Sequence, residues 1–178
     1  VLFSVKNLGE LSDRIKDRLL SYGEQMSSKI VSAFLQSEGF PAVFQDSRKL
    51  IATDSHFGNA NVDSRKTNEN LKNWKLENQI YVVTGFIAKD KNDDTTTLGR
   101  GGSDYTAAIL GSGLKADEIQ IWTDVDGFLT ADPRLVKNAF SQSELSYQEA
   151  MEMSYFGARV IYPPALIPAI ESQIPIYI

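Results

Sequence analysis

Residues 79–87 read QIYVVTGFI, almost wholly apolar and rich in β-branched and aromatic side chains. A strand of that kind is covered on both faces, which is the situation inside a parallel sheet flanked by helices. The surrounding patterns agree. Leu11, Ile15, Leu19, Tyr22, Met26, Ile30 and Phe34 recur at spacings of three and four, which predicts an amphipathic helix capped by Ser12 or Asp13. The segment EGFPAVFQ turns into a short strand, and residues 64–76 predict a helix. AKDKNDDTTTLGRGG reads as one long polar loop, followed by a short helix from Ser103 to Leu110 that ends at Gly111 or Gly113. EIQIWT predicts a strand, DVDGFLTADPR a loop, YQEAMEMSYFGARVI the start of a helix, PPALIPAIES a proline-started helix, and IPIYI a closing strand. Strands alternating with helices imply an α/β domain with a mainly parallel sheet.

The bulk properties narrow the function classes. The 178 residues suit one domain, with 42% hydrophobic and 23% charged residues. A net charge of −5 gives no invitation to nucleic acid or an anionic membrane. The absence of cysteine removes disulfides, thiolate metal sites and cysteine nucleophiles. The single histidine, His56, lies in the polar stretch TDSHFGNAN and reads as a loop residue. No apolar run reaches the roughly 18 residues of a membrane span, and a cytoplasmic location is expected. The opening VLFSVKNLGE and the strand-like ending IPIYI lead us to expect a piece of a longer protein.

In open α/β sheets ligands bind beyond the carboxyl ends of strands, so the loops after the strands are the first places to look. In LGRGGSDYTAA, Gly99, Gly101 and Gly102 let backbone amides approach a ligand. The helix start near Ser103 favours an anion, and the guanidinium of Arg100 suits a carboxylate or phosphate. Asp104 repels a phosphate and makes sense beside an ammonium group or Mg²⁺. The same residues also make a flexible turn with Ser103 as a helix cap, and residue types alone leave both readings open. No G-x-x-x-x-G-K-[ST] motif occurs, the pattern G-x-G-x-x-G fails at Asp104, and a G-x-G-x-x-A at Gly111 follows a helix instead of a strand.

The loop TDVDGFLTADPR carries Asp124, Asp126 and Asp132, but Leu135 stands where an EF-hand needs its glutamate, which speaks against calcium. Thr123 and Asp124 are placed for a nucleotide and Arg134 for its phosphates; two plain β-turns, at Asp126-Gly127 and Asp132-Pro133, are the competing reading. Glu24, beside Gly23 on the first helix, shares a stripe with Leu20, Ser27 and Val31. It either faces a ligand's ammonium group or is a solvated residue at the stripe's edge.

Together these segments resemble the aspartokinases of the amino acid kinase family. LSYGE is similar to the family's substrate helix, TTTLGRGGSDYTAA to its most specific signature, IWTDVDG and TADPR to its nucleotide loop, and EAMEMSYFGARVIYPPAL to its late helix and turn. The wording of SYQEAMEMSYFGA resembles the kinase half of the fused aspartokinase–homoserine dehydrogenases. The resemblance implies a three-layer α/β/α sandwich. It also implies transfer of the ATP γ-phosphoryl group to the side-chain carboxylate of L-aspartate. The product, 4-phospho-L-aspartate, enters lysine, threonine and methionine synthesis. Glu24 would face the aspartate ammonium group, and Arg100 would hold its α-carboxylate. Gly101, Gly102 and Ser103 would line the reacting carboxylate, with Asp104 and Ser103 as the catalytic pair. Thr123, Asp124, Gly127, Arg134, Arg159 and Val160 would hold ATP, and Mg²⁺ would arrive with it. No protein metal site is implied, and a homo-oligomer is expected.

Three departures from the family pattern stand out. The family's Lys-Phe-Gly-Gly strand and loop is not found in the chain, and neither are the regulatory domains that commonly follow, so residues 1–178 are expected to be the catalytic domain without them. Arg159 stands where lysine is usual, exchanging a point charge for a fork. Leu129 replaces a tyrosine common near the nucleotide. Glutamate kinase or uridylate kinase would need a different substrate loop. A non-catalytic nucleotide- and amino-acid-binding subunit of the same fold is the alternative.

Overall fold

A computed structural model describes residues 10–125, 127–132, 134–156 and 160–178. The chain divides into two compact units, one ending at Ser103 and one running from Asp104 to Ile178. Among the described residues no helix is long and apolar enough to cross a membrane.

The first unit begins with helix α1, Asp13–Ser37, whose N-cap Ser12 accepts a bond from the Ile15 amide. Strand β1, Ala42–Gln45, pairs in parallel with β2, Ile80–Val83, in the register Ala42↔Ile80 through Gln45↔Val83. Between them lie a 3-10 turn at Ser47–Lys49 and helix α2, Ser64–Asn73, capped by Asp63. The sequence predicts α2 to reach residue 76. It stops at Asn73 because Trp74 turns extended, with its ring edge-on to that of Tyr81 at 4.9 Å.

Two expectations for this unit are corrected. The polar stretch 88–102 is not a single loop: β3, Ile87–Lys89, pairs antiparallel with β4, Thr95–Thr97. The tight connection is held by the buried carboxylate of Asp90, which accepts from the amides of Asn92 and Asp94 and from Ser55 Oγ. The apolar stripe of α1 does not face inward as a whole. Met26, Ile30 and Phe34 are 59%, 68% and 60% exposed, whereas Asp17, Ser21, Ser28 and Ser32 are buried. The helix packs against β1 and β4 through that polar face. Small hydroxyl side chains let it come close and satisfy themselves locally, as Ser21 Oγ does on the Arg18 carbonyl.

Helix α3, Gly102–Leu114, opens in the last residues of the first unit and runs on through the second. It passes Gly111 and Gly113 instead of ending there. A Cβ on Gly111 would lie 2.6 Å from Ile119 Cδ1, so this glycine admits a neighbouring side chain. The helix stops at Lys115 (φ 56), and the Ala116 amide bonds back to the Gly111 carbonyl, as in a Schellman end.

Strand β5, Ile119–Gln120, pairs in parallel with β6, Ile176–Tyr177. Helix α4, Tyr147–Tyr155, starts with a capping box of Ser146 and Glu149. The expected proline-started helix is split into a 3-10 turn, Pro163–Leu166, and a short helix α5, Ile167–Glu171. Ala108, Ile119, Ala169 and Ile174 form the core of this unit. Helices with two parallel strand pairs and one antiparallel pair give the α/β class that the sequence implies.

Candidate functional site

The glycine-rich turn is built by close approach. Gly99 (φ 71) and Gly101 (φ 68) occupy the left-handed region, and the Gly102 amide closes onto the Gly99 carbonyl. A Cβ on Gly99 would fall 2.2 Å from Asn59 Oδ1, and one on Gly102 would fall 2.7 Å from Phe86 Cδ2. A Cβ on Gly85 would lie 2.9 Å from Ser103 Oγ. The loop after β2 and the turn before α3 are therefore pressed together with no room for a methyl group between them.

The turn leaves Arg100 exposed and Gly102 buried, with Ser103 exposed in the first turn of α3. Thirteen residues of helix follow, so the amides that face the turn carry the positive end of a full helix dipole. Asp104 is partly buried next to Ser103, and burial pushes its carboxyl above the usual range. Glu24 lies half-buried on α1, the helix that packs against β4 and hence against the strand leading into the turn. Its neighbour Gln25 is fixed by Ser21 and by the guanidinium of Arg48.

The residues expected at the nucleotide belong to the second unit. Thr123 and Asp124 follow β5, both exposed, with Thr123 Oγ1 donating to Asp124 Oδ1 at 3.2 Å. Gly127 (φ 87) is buried and turns the chain, and Val160 is half-buried. Gly127 and Phe128 line a cavity of about 570 Å³ that Tyr147 and Ile176 also bound. Arg134 is exposed, and its guanidinium is held by Asp132 through a fork of 3.0 and 2.7 Å. That pairing pulls the Asp132 carboxyl down to about 2. Arg159, Asp126 and Pro133 lie outside the described residues. Among the described residues no group of three or more His, Cys, Asp or Glu is placed to hold a metal ion.

Sequence reasoning missed the residues that shape the turn without belonging to it: Asp17, Asn59, Gly85 and Phe86. Asp17 had a signal. With Ser21, Gln25, Ser28 and Ser32 it forms a polar stripe at helical spacing, opposite the apolar one.

The chain is similar to aspartokinases along nearly its whole length. It is 41% identical over 173 residues to the bifunctional aspartokinase/homoserine dehydrogenase 2, chloroplastic, of Zea mays, a match covering 96% of this chain and 19% of that protein. It is 40% identical over 170 residues to the lysine-sensitive aspartokinase 3 of Escherichia coli K12, covering 94% of this chain and 38% of that one. The crystal structure of E. coli aspartokinase III in complex with aspartate and ADP superposes with a TM-score of 0.87 at 40% identity, over 93% of this chain and 38% of that chain. The chain thus spans well under half the length of these relatives. The model of the amino acid kinase family matches residues 4–178, nearly the whole of it. With the α/β fold and the glycine turn, that match establishes that the chain belongs to the amino acid kinase family.

Proposed function

We propose that the protein carrying this chain is an aspartate kinase. It transfers the γ-phosphoryl group of ATP to the side-chain carboxylate of L-aspartate, giving 4-phospho-L-aspartate for lysine, threonine and methionine synthesis. The observation that carries the reading is the Gly99–Ser103 turn: a backbone cradle at a helix start with Arg100 at its tip. It stands in a chain 40% identical to an aspartokinase crystallised with aspartate and ADP.

The chemistry asks little covalent work of the protein. A side-chain carboxylate is already ionised at neutral pH, so the acceptor needs no general base. Catalysis then consists of holding two anions in line and offsetting the charge of the transferring group. On this reading Arg100 binds the α-carboxylate of aspartate, and Glu24 binds its ammonium group. Gly101, Gly102 and Ser103 line the reacting carboxylate, and Asp104 organises the centre. Thr123, Asp124, Gly127, Arg134, Arg159 and Val160 hold the nucleotide. Mg²⁺ would come with ATP and would offset the charge of its phosphates. The residues present fit that arrangement, since amides and guanidinium groups suit phosphate oxygens and not a bare cation. Residues 1–178 form the catalytic part, and a cytoplasmic homo-oligomer belongs to the same reading.

The test is an ATP-dependent aspartyl-hydroxamate assay on the full-length protein, with glutamate as the control substrate. Activity with aspartate alone is expected. A folded, ATP-binding protein that makes no hydroxamate would instead be a binding subunit of the same fold.

A further inference from the structure

Phe86 has a backbone that a phenylalanine rarely adopts. Its φ is 66, and the Ile87 amide bonds to the Gly85 carbonyl at 2.7 Å across it. A bond spanning three residues with a positive φ at the centre is the rarer and more strained kind of γ-turn. Glycine or asparagine would take that conformation at lower cost. The strained turn is fastened from the other side, because the Phe86 carbonyl accepts from the Leu98 amide at 2.9 Å, one residue before the glycine turn. The ring reaches Gly102: a Cβ there would be 2.7 Å from Phe86 Cδ2 and 3.3 Å from Phe86 Cα. The preceding residue, Gly85, meets Ser103 in the same way. Two consecutive residues after β2 therefore contact two consecutive residues at the start of α3.

We infer that Phe86 is a positioning residue: its ring, held in place by the strained γ-turn, is the seat on which Gly102 rests, and it fixes where the turn presents Arg100 and Ser103. This inference rests on the aspartate-kinase reading. An ordinary packing role would spread the effect of losing the ring over stability and both substrates. A positioning role concentrates it on the ligand that the turn holds.

The experiment is a double-mutant cycle in the full-length protein, reading KM for aspartate, KM for ATP, kcat and the unfolding midpoint. Phe86→Ala is expected to raise the aspartate KM about tenfold with the ATP KM changed less than about twofold, and Phe86→Tyr to stay within about twofold of the wild type. Gly102→Ala should lower kcat/KM about a hundredfold, because its methyl group meets the ring. The double variant should regain about tenfold of that loss once the ring is gone. Effects that simply multiply, or equal changes in both KM values, would overturn the inference while leaving the kinase reading intact. An inactive wild type would overturn the kinase reading itself, and the inference with it. Should Gly102→Ala fail to fold, Phe86→Leu set beside Phe86→Tyr carries the test. A raised aspartate KM in the leucine variant alone supports the inference, and two variants like the wild type overturn it.

Discussion

Asp17 and Thr97, eighty positions apart in the chain, are joined by two hydrogen bonds: the carboxylate accepts from the Thr97 amide at 2.9 Å and from its hydroxyl at 2.8 Å. A third bond comes from the Gly58 amide at 2.9 Å. Asp17 is wholly buried and Thr97 nearly so. One carboxylate thus ties the helix that carries Glu24 to the strand that feeds the glycine turn. Asp17→Ala would strand buried donors, at about 1–3 kcal/mol for each left unsatisfied. A total loss of about 3 kcal/mol or more is expected in urea unfolding. An unchanged midpoint would show that the tie contributes nothing.

Arg100 stands exposed at the tip of the turn and has the planar fork that a carboxylate matches. Arg100→Ala is expected to weaken aspartate binding by about 2–5 kcal/mol, the cost of truncating one partner of a bonded charge pair. The ATP requirement should hardly move. Steady-state kinetics with each substrate varied in turn decides the matter; parallel losses for both would remove Arg100 from the substrate site.

Asp104 makes a prediction with a definite sign. Burial disfavours its charged form, so the folded protein holds this proton more tightly than the unfolded chain does. Stability falls as pH rises from the ordinary value of 3.8 through the raised one, and the cost persists at neutral pH. Asp104→Asn should therefore melt at a higher temperature than the wild type at pH 7, and the gain should vanish below the ordinary carboxylate value. Turnover should be lost in the same variant. Thermal scans at pH 7 and at pH 3 test the first part. A variant less stable than the wild type at pH 7 would contradict the burial argument.

The Asp132–Arg134 pair can be followed by a carboxyl titration. Asp132 should titrate at about 2, and Arg134→Ala should return it towards 3.8. The depressed value means that the pair is intact above the ordinary carboxylate range and is lost as pH falls through about 2. A midpoint unaffected by the substitution would mean that the fork does not persist in solution.

The strand at Ile80–Val83 was legible from its β-branched and aromatic run, but the cover expected on both of its faces is not there, since Ile80 is exposed and Tyr81, Val82 and Val83 are half-buried. The glycine turn was legible because backbone freedom and an arginine coincide before a helix. The inward face of α1 was not, since counting apolar spacing gives no weight to a serine or aspartate that becomes buried by bonding inside the protein. The β3–β4 pair was hidden by its connection, where lysines, asparagines and aspartates look like solvent-exposed loop until Asp90 turns inward to collect amides. The extension of α3 through Gly111 was hidden for a related reason: the use of that glycine depends on Ile119, which only the folded chain brings to it.

The pairing of β5 with β6 has a consequence for the order in which the second unit assembles. Each strand is two residues long, yet Ile119 meets Ile176 across more than fifty intervening residues. So short a ladder cannot by itself offset the entropy of closing so long a loop. It gains support only when Ala108 and Ala169 are already in place against Ile119 and Ile174. The amides of Ile119 and Ile121, which donate to the carbonyls of Pro175 and Tyr177, are therefore late to form in folding. Their protection from hydrogen exchange reports that the unit is complete, with no ligand needed to read it.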